Sequence, residues 1–300
     1  MASRISTVDG MQFFTEIYTP LELQKPPGCT GEIRTRVDEV LYEGETPFQE
    51  VVIFNSPRLG KVLALDGVIQ TTEADEYVYH EMLVHVPLLA HGNVRSVLII
   101  GGGDGGTLRH CLMHPIEKAT MVEIDAVVVE KCRSLMPGLS QGAFEDSRTT
   151  LRIEDGIHYM RDTAEKFDAV IVDCSDPEGP SHPLFTSDFY QYCHRVLNPG
   201  GVLVAQGSTL FDFCDHIRDV CDILRPIFQD ATIYHAHVPT YLGGDCAYFW
   251  ATDNKALRQT SLEILQARQK AAGIKAKFYN PETHQASFVL PEYVKELLGA

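Results

Sequence analysis

Acids collect at the ends of strand-like segments in this chain. Asp104 follows the apolar run VLII, Glu123 and Asp125 follow ATMV, Glu154 and Asp155 follow TLRI, and Asp173 and Asp176 follow AVIV. Open α/β sheets bind ligands beyond the carboxyl ends of their strands, so four successive acidic ends would surround one crevice. Carboxylates there can hold cations, accept hydrogen bonds and take up protons. In the stretch GGGDGG, Gly101, Gly103 and Gly106 satisfy G-x-G-x-x-G, and Glu123 follows at the spacing of an acid that grips ribose hydroxyls. The glycines alone are a weak signal. With a strand before, a helix after and an acid on the next strand end, they point to an adenosine-containing ligand.

Asp104 narrows the choice. A pyrophosphate at that helix N-terminus would face a carboxylate, and like charges in a partly buried site repel strongly. The plainer alternative is that Asp104 caps the following helix. The neighbouring acids favour a ligand with adenosine and positive charge but no phosphate, such as S-adenosylmethionine or a relative of it. Asp155 and Gly156 fall where an adenine edge would lie, and a carboxylate there can accept from the exocyclic amine; an ordinary helix N-cap in EDGIHYM is the competing reading. Asp173 ends an apolar strand, and Asp176-Pro177 opens a loop that also holds Pro180 and Pro183. That reads as a positioned pair of acids rather than a solvated turn.

These acids need a sheet to hold them. VLIIGG, ATMVEID, TLRIED, AVIVDCSD and GVLVAQG read as strands, separated by helix-sized segments such as AVVVEKCRSLM and SDFYQYCHRVL. The rhythm predicts an α/β fold, a Rossmann-like, doubly wound and mostly parallel sheet. Before it, residues 1–72 alternate apolar and polar residues over short runs, with turns expected at Glu43-Gly44-Glu45, Ser56-Pro57, Leu59-Gly60 and Asp66-Gly67. The expected division is an N-terminal β domain over 1–72 and a catalytic domain over 73–300. TEADEYVYHEMLVHVPLLAHG predicts a helix with a capping start that ends at Gly92. Further strands are expected at ATIYHAHV, CAYFWAT and ASFVL, with helices near 255–271 and 291–298.

Composition sets outer limits. The 300 residues are 44% hydrophobic and 22% charged, an ordinary globular balance. With 25 Lys+Arg against 41 Asp+Glu, the formal charge of −16 argues against nucleic acid and suits a cationic ligand, although many proteins are acidic for solubility alone. The eight cysteines show no CxxC or metal-ligand spacing and read as free thiols of a reducing compartment. No apolar run approaches membrane-spanning length and the start lacks a signal-peptide core, so the cytoplasm is the expected location.

GGGDGG, VEID, EDG, VDCSDPEGP…LF and the Thr240-Tyr241 pair occur in an order that resembles the spermidine synthase family of aminopropyltransferases. TTEADEYVYHE and FYNPETHQASFVLP extend the likeness over nearly the whole chain from GETPFQE onward. The resemblance implies a dimer or tetramer that moves an aminopropyl group from decarboxylated S-adenosylmethionine to an amine, with no metal and no further cofactor. It implies that Asp104 binds the donor's amine, Glu123 the ribose, and Asp155 with Gly156 the adenine. Gln49 would also contact the nucleoside, beside the glycine turn of Gly101 and Gly103. Asp173 would be the general base, assisted by Tyr79, and Asp176 the anchor for the acceptor's far amine. His80, Gln206 and Tyr241 would line the acceptor channel with Tyr79. Asp104 then selects by charge, attracting an ammonium and repelling the carboxylate of ordinary S-adenosylmethionine.

Several positions depart from the family's usual pattern. Cys174 stands for a common Ser, His80 for Gln, and TYLGGD replaces TYPSG, with Leu242 in place of Pro. Asp245 is an added acid, expected near the channel mouth and able to accommodate a longer cation. Putrescine is the first choice of acceptor, with cadaverine, agmatine or spermidine as alternatives. A methyltransferase is the rival enzyme class, a dehydrogenase a weaker one, and a non-catalytic polyamine sensor the rival of another class. The pairs His85/His91 and His235/His237 lack a nearby acid or Cys at ligand spacing and do not read as a metal site; Trp250 reads as core.

Overall fold

The computed structural model describes residues 4–18, 31–177 and 179–299. Seven strands precede the first helix: β1 (Ile5–Val8), β2 (Met11–Tyr18), β3 (Gly31–Val37), β4 (Glu39–Glu45), β5 (Glu50–Ser56), β6 (Gly60–Leu65) and β7 (Val68–Thr72). They form two antiparallel sheets, β1-β2-β3 and β4-β5-β6-β7. The side chains of β5 alternate between two packing partners. Val52 and Phe54 meet Phe14 of β2, while Val51 and Ile53 meet Val128, Cys132, Met136 and Leu139 of the larger domain. Period-two alternation thus clamps the meander between the N-terminal hairpin and the rest of the molecule.

The larger part carries α1 (Glu76–His91), β8 (Ser96–Gly101), α2 (Gly106–Leu112), β9 (Lys118–Glu123), α3 (Ala126–Leu135) and α4 (Pro137–Ser140). It continues through β10 (Thr149–Ile153), α5 (Gly156–Asp162), β11 (Phe167–Asp173), α6 (Ser187–Val196), β12 (Leu197–Thr209) and α7 (Cys214–Leu224). The last elements are β13 (Asp230–His237), β14 (Asp245–Thr252), α8 (Leu262–Ala272), α9 (Pro281–Ser287) and α10 (Glu292–Leu298). Seven strands make one sheet in the order β10-β9-β8-β11-β12-β14-β13, parallel except where β14 meets β12 and β13. This is the α/β, Rossmann-like sheet expected, preceded by the small β domain. Both faces are covered: Val97 and Ile99 pack under α1, and Leu98 and Ile100 belong to the cluster that takes Phe189 and Tyr190 from α6. The strand order reverses between β8 and β11, which is where such folds open a crevice.

Three expectations fail locally. ASFVL is not a strand: Asn280 caps Thr283 N at 2.7 Å, Pro281 occupies the first helical position, and α9 runs to Ser287. Phe288 then packs on Trp250 and Tyr234, which explains the strand-like aromatic pattern. Glu43-Gly44-Glu45 is not a turn; β4 continues through it, and the chain reverses at 46–49, where Thr46 Oγ1 accepts from Phe48 N and Gln49 N. Asp75 stands at the N-cap of α1 without capping it. Its carboxylate instead accepts from Thr72 Oγ1 at 2.6 Å and from Thr240 N at 2.8 Å, tying the start of α1 to the distant Thr240-Tyr241 turn. The helix does end at Gly92, in the left-handed conformation at φ 75°.

Trp250 is fully buried, as expected of a core residue. Cys111, Cys132, Cys193, Cys221 and Cys246 are buried free thiols; Cys29 lies outside the described residues. Among the described residues no helix is long and apolar enough to cross a membrane.

Candidate active site

Two adjoining cavities open at the carboxyl ends of β8, β9, β10 and β11. The first, about 180 Å³, is lined by Gly101, Gly103, Asp104, Glu123, Asp155, Gly156 and Asp173 among others. The second, about 430 Å³, takes in Glu16, Gln70, Asp176, Gln206, Leu242 and Cys246. Gln49, Tyr79, Cys174, Ser175 and Tyr241 line both, so the cavities meet beside Asp173.

The glycine turn exists because no side chain fits. Gly101 has φ +84°, and a Cβ there would lie 2.1 Å from the carbonyl oxygen of Asp173. Gly102 N instead donates to that carbonyl at 2.8 Å, locking the turn to the end of β11. At Gly103 a Cβ would press on Val128 and Glu123, so glycine leaves the Glu123 carboxylate room at the cavity wall.

Asp104 lines the first cavity and does not cap α2, whose N-cap is Gly105. One oxygen accepts from Gly106 N at 2.6 Å, a local turn bond, and the other lies 3.4 Å from Nε2 of His80 on the cavity wall. Asp155, by contrast, caps α5 through Ile157 N at 2.7 Å while lining the first cavity. Glu123 accepts from Asp125 N at 2.9 Å, and burial raises its pKa to about 7. Two strand-end acids lie outside the cavities. Asp125 caps α3 and accepts from Thr46 Oγ1 at 2.7 Å and Gln49 Nε2 at 3.1 Å, stitching the β domain to the sheet. Glu154 pairs with Arg152 at 3.2 Å.

Asp173 is the most constrained acid. Tyr79 donates its hydroxyl to one oxygen at 2.7 Å and Thr107 donates to the other at 2.6 Å. Burial raises the pKa of this carboxyl above the ordinary range, Asp104 adds to the rise, and His80 with the two hydroxyls opposes it. Thr107 escaped the sequence reading; its only signal is a hydroxyl directly after the glycine turn. Asp176 accepts from Ser208 Oγ at 2.6 Å. Gln206 is held at both ends of its amide, donating to Ser175 O at 3.0 Å and accepting from Ser208 N at 2.7 Å. Tyr241 donates to Gln70 O at 2.8 Å and sets its ring 5.9 Å from that of Tyr79.

Two expected positions differ. His80 lies in the first cavity beside Asp104 and does not line the second. Its Nδ1 sits 2.7 Å from Glu76 and its Nε2 faces Asp104. The two acids outweigh burial and hold the ring protonated, with a pKa of about 10. The pocket at Asp104 is therefore a paired one rather than a bare negative patch. Asp245 lines neither cavity: it faces His237 at 3.6 Å and His235 at 3.9 Å. Cross-strand pairing of His237 with Asp245 turns that carboxylate to the outer part of β13 and β14. Sequence reading also missed Glu16, which lines the second cavity from β2 and whose pKa burial raises to about 7.

Comparison with known proteins fits this geometry. The spermine/spermidine synthase domain matches residues 76–261, and the spermidine synthase tetramerisation domain matches 12–73. The chain belongs to the spermidine synthase family of polyamine aminopropyltransferases. Polyamine aminopropyltransferases of Salmonella agona and Salmonella typhimurium are each 51% identical over 265 residues, covering 88% of this chain and 93% of theirs. A spermidine synthase solved with the transition state analogue AdoDATO superposes with a TM-score of 0.85 at 37% identity, over 90% of this chain and 91% of its own. The spermidine synthase of Thermotoga maritima gives 0.86 at 36% identity, over 96% and 94%.

Proposed function

We propose that the enzyme transfers the aminopropyl group of decarboxylated S-adenosylmethionine to putrescine, giving spermidine and methylthioadenosine. The donor occupies the first cavity, with Glu123 on the ribose, Asp155 and Gly156 at the adenine, Gln49 alongside, and Asp104 at the ammonium. The acceptor enters through the second cavity, with Asp176 on its far ammonium and Gln206 and Tyr241 along its length. The observation that carries this reading is Asp173, at the junction of the two cavities with both oxygens oriented by hydroxyl donors.

An acceptor amine attacks the methylene beside the sulfonium; a C–N bond forms, the C–S bond breaks, and the sulfur leaves neutral. A doubly charged donor and a doubly charged diamine become neutral methylthioadenosine, a triply charged triamine and one proton. That proton must leave early, because an alkylammonium with pKa near that of lysine, about 10.4, has no lone pair at neutral pH. Asp173, with its raised pKa, is the better base for it. Asp176 and the tyrosines fix the approach and convert encounter into a positioned attack.

A longer acceptor such as spermidine is the second reading, favoured by Glu16, a second acid of that cavity close enough to Asp176 for the two carboxyls to interact. Cadaverine and agmatine are tested with it. We also propose that residues 1–72 form an assembly domain and 73–300 the catalytic domain. Copies would join as a homodimer or homotetramer through the exposed Val8, Met11, Ile17 and Ile33, and the free thiols suit the cytoplasm. The direct test incubates the protein with decarboxylated S-adenosylmethionine and each amine in turn. Methylthioadenosine release greatest with putrescine is expected; a methylated product from ordinary S-adenosylmethionine would replace this reading with the methyltransferase.

A further inference from the structure

A row of buried imidazoles runs away from the first cavity into the core. Glu76 accepts from Arg109 Nη2 at 2.8 Å on each oxygen and lies 2.7 Å from His80 Nδ1. Arg109 Nη2 is also 2.7 Å from His110 Nε2; His110 Nδ1 is 3.3 Å from His85 Nε2; His85 Nδ1 is 2.9 Å from His114 Nε2. All four histidines are buried.

A guanidinium can only donate. The nitrogen of His110 that faces Arg109 must therefore be bare, which puts the ring proton on Nδ1, aimed at His85. The same logic passes along the row, leaving Nε2 bare and Nδ1 protonated in His85 and then in His114. One arginine thus sets three tautomers. Burial holds all three rings below the usual imidazole range, which keeps them neutral as the pattern requires. Arg109 cannot pass a proton, so the row is no wire to the active site. What it can do is orient. Hydrogen-bonded networks rigidify the groups they contain, and here both Nη atoms of Arg109 are engaged while its Nε is buried without a partner among the described residues.

We propose that His110, His85 and His114 are positioning residues for the donor pocket. They hold Arg109 on Glu76, and through Glu76 hold His80 against Asp104, the carboxylate that receives the donor's ammonium. The inference rests on the assignment of Asp104 given above. It predicts that disturbing the row affects recognition of the ammonium end of the donor and leaves the nucleoside end alone.

Methylthioadenosine shares the nucleoside but lacks the ammonium, so binding of the two ligands separates the ends. In calorimetric titrations of the full chain, His110→Leu should weaken decarboxylated S-adenosylmethionine about tenfold, the scale of one hydrogen bond to a charged group. Methylthioadenosine affinity should stay unchanged. His110→Gln, whose carbonyl can accept from Arg109 and whose amide can donate to His85, should recover donor affinity to within about twofold of wild type. Equal losses in the Leu and Gln variants, or equal losses for both ligands, would overturn the proposal. Should the Leu variant not fold, nitrogen and carbon NMR of the wild type reads the tautomers directly. Protons on Nδ1 of all three rings are expected, and a proton on His110 Nε2 would refute the relay. Wild-type protein that takes up neither ligand, with the tautomers as expected, would instead remove the assignment of Asp104 on which the relay's role depends.

Discussion

The first cavity draws its acids from adjacent strand ends; Asp104, Glu123 and Asp155 each accept from a backbone N–H two residues on, and Asp173 is held by hydroxyls of α1 and α2. The second cavity gathers Glu16, Gln70, Asp176, Gln206 and Leu242 from both domains and from widely separated parts of the chain. Local construction makes the first cavity a pocket whose chemistry follows from short motifs: a turn that only glycine can make, a helix cap at Asp155, and an acid on the neighbouring strand. Assembly from distant segments makes the second depend on how the N-terminal hairpin lies over the sheet. The acids of the first cavity are thus built into the sheet, with Gln49, Leu63, Leu65 and Gln70 of the β domain closing over them, while the polar groups of the second come from both domains.

Breaking the junction between the cavities should cost most. Asp173→Asn removes the proposed base and is expected to lower kcat by about 10²- to 10⁴-fold, the usual reach of a positioned general base. Methylthioadenosine binding should persist, which calorimetry checks. A kcat within tenfold of wild type would place the base elsewhere.

Tyr79→Phe deletes one of the two hydroxyl donors to Asp173 and should cost about tenfold in kcat, the scale of a hydrogen bond to a charged group. The hydroxyl lowers the pKa of Asp173, so its loss lets that pKa rise further. Activity in the wild type should climb from neutral toward alkaline pH, and in the variant the climb should move to higher pH. A pH–rate profile under single-turnover conditions measures both.

A stability effect sharpens the contrast in the first cavity. Glu123 has a folded pKa of about 7 against 4.5 for the free group. Between those values the folded state holds the extra proton, so stability declines as pH rises through that window and stays lower above it. Glu123→Gln lacks this cost. It should be more stable than wild type at pH 8 by on the order of 1–3 kcal/mol, with the gap closing below about pH 4.5, while its nucleoside affinity falls. Urea denaturation at the two pH values tests the sign.

On the acceptor side the smallest effect is expected. Glu16→Gln should raise KM for a triamine several-fold, leave that for putrescine nearly unchanged, and not affect donor binding, as befits a partly exposed charge contact. Steady-state kinetics with both amines decides whether the N-terminal hairpin contributes to acceptor choice.

The same contrast governs what could be read before the fold was seen. The parallel sheet, the glycine turn and the residues Asp104, Glu123, Asp155 and Asp173 were legible because strand periodicity and turn chemistry are local. Asp125 and Glu154 share their strand-end position, yet one caps a helix and holds Gln49 and the other pairs with Arg152; position alone does not reveal which way a side chain is recruited. Thr107, Glu16 and the Glu76–Arg109 pair carry no motif, since their roles arise only when α1, α2 and β2 come together. His80 was expected in the acceptor channel but sits between Glu76 and Asp104 in the first cavity, and Asp245 was expected near the channel mouth but lines neither cavity and faces His237. ASFVL looked like a strand because Phe288 is apolar for packing on Trp250, not for pairing in a sheet.

Charge selection at Asp104 is most directly tested by measuring methylthioadenosine release from decarboxylated and from ordinary S-adenosylmethionine, each with putrescine, in wild type and Asp104→Asn. The account predicts turnover of the decarboxylated donor alone in the wild type, and a preference that narrows in the variant as the decarboxylated donor loses its partner. Equal use of both donors by the wild type, or an unchanged preference in the variant, would contradict it.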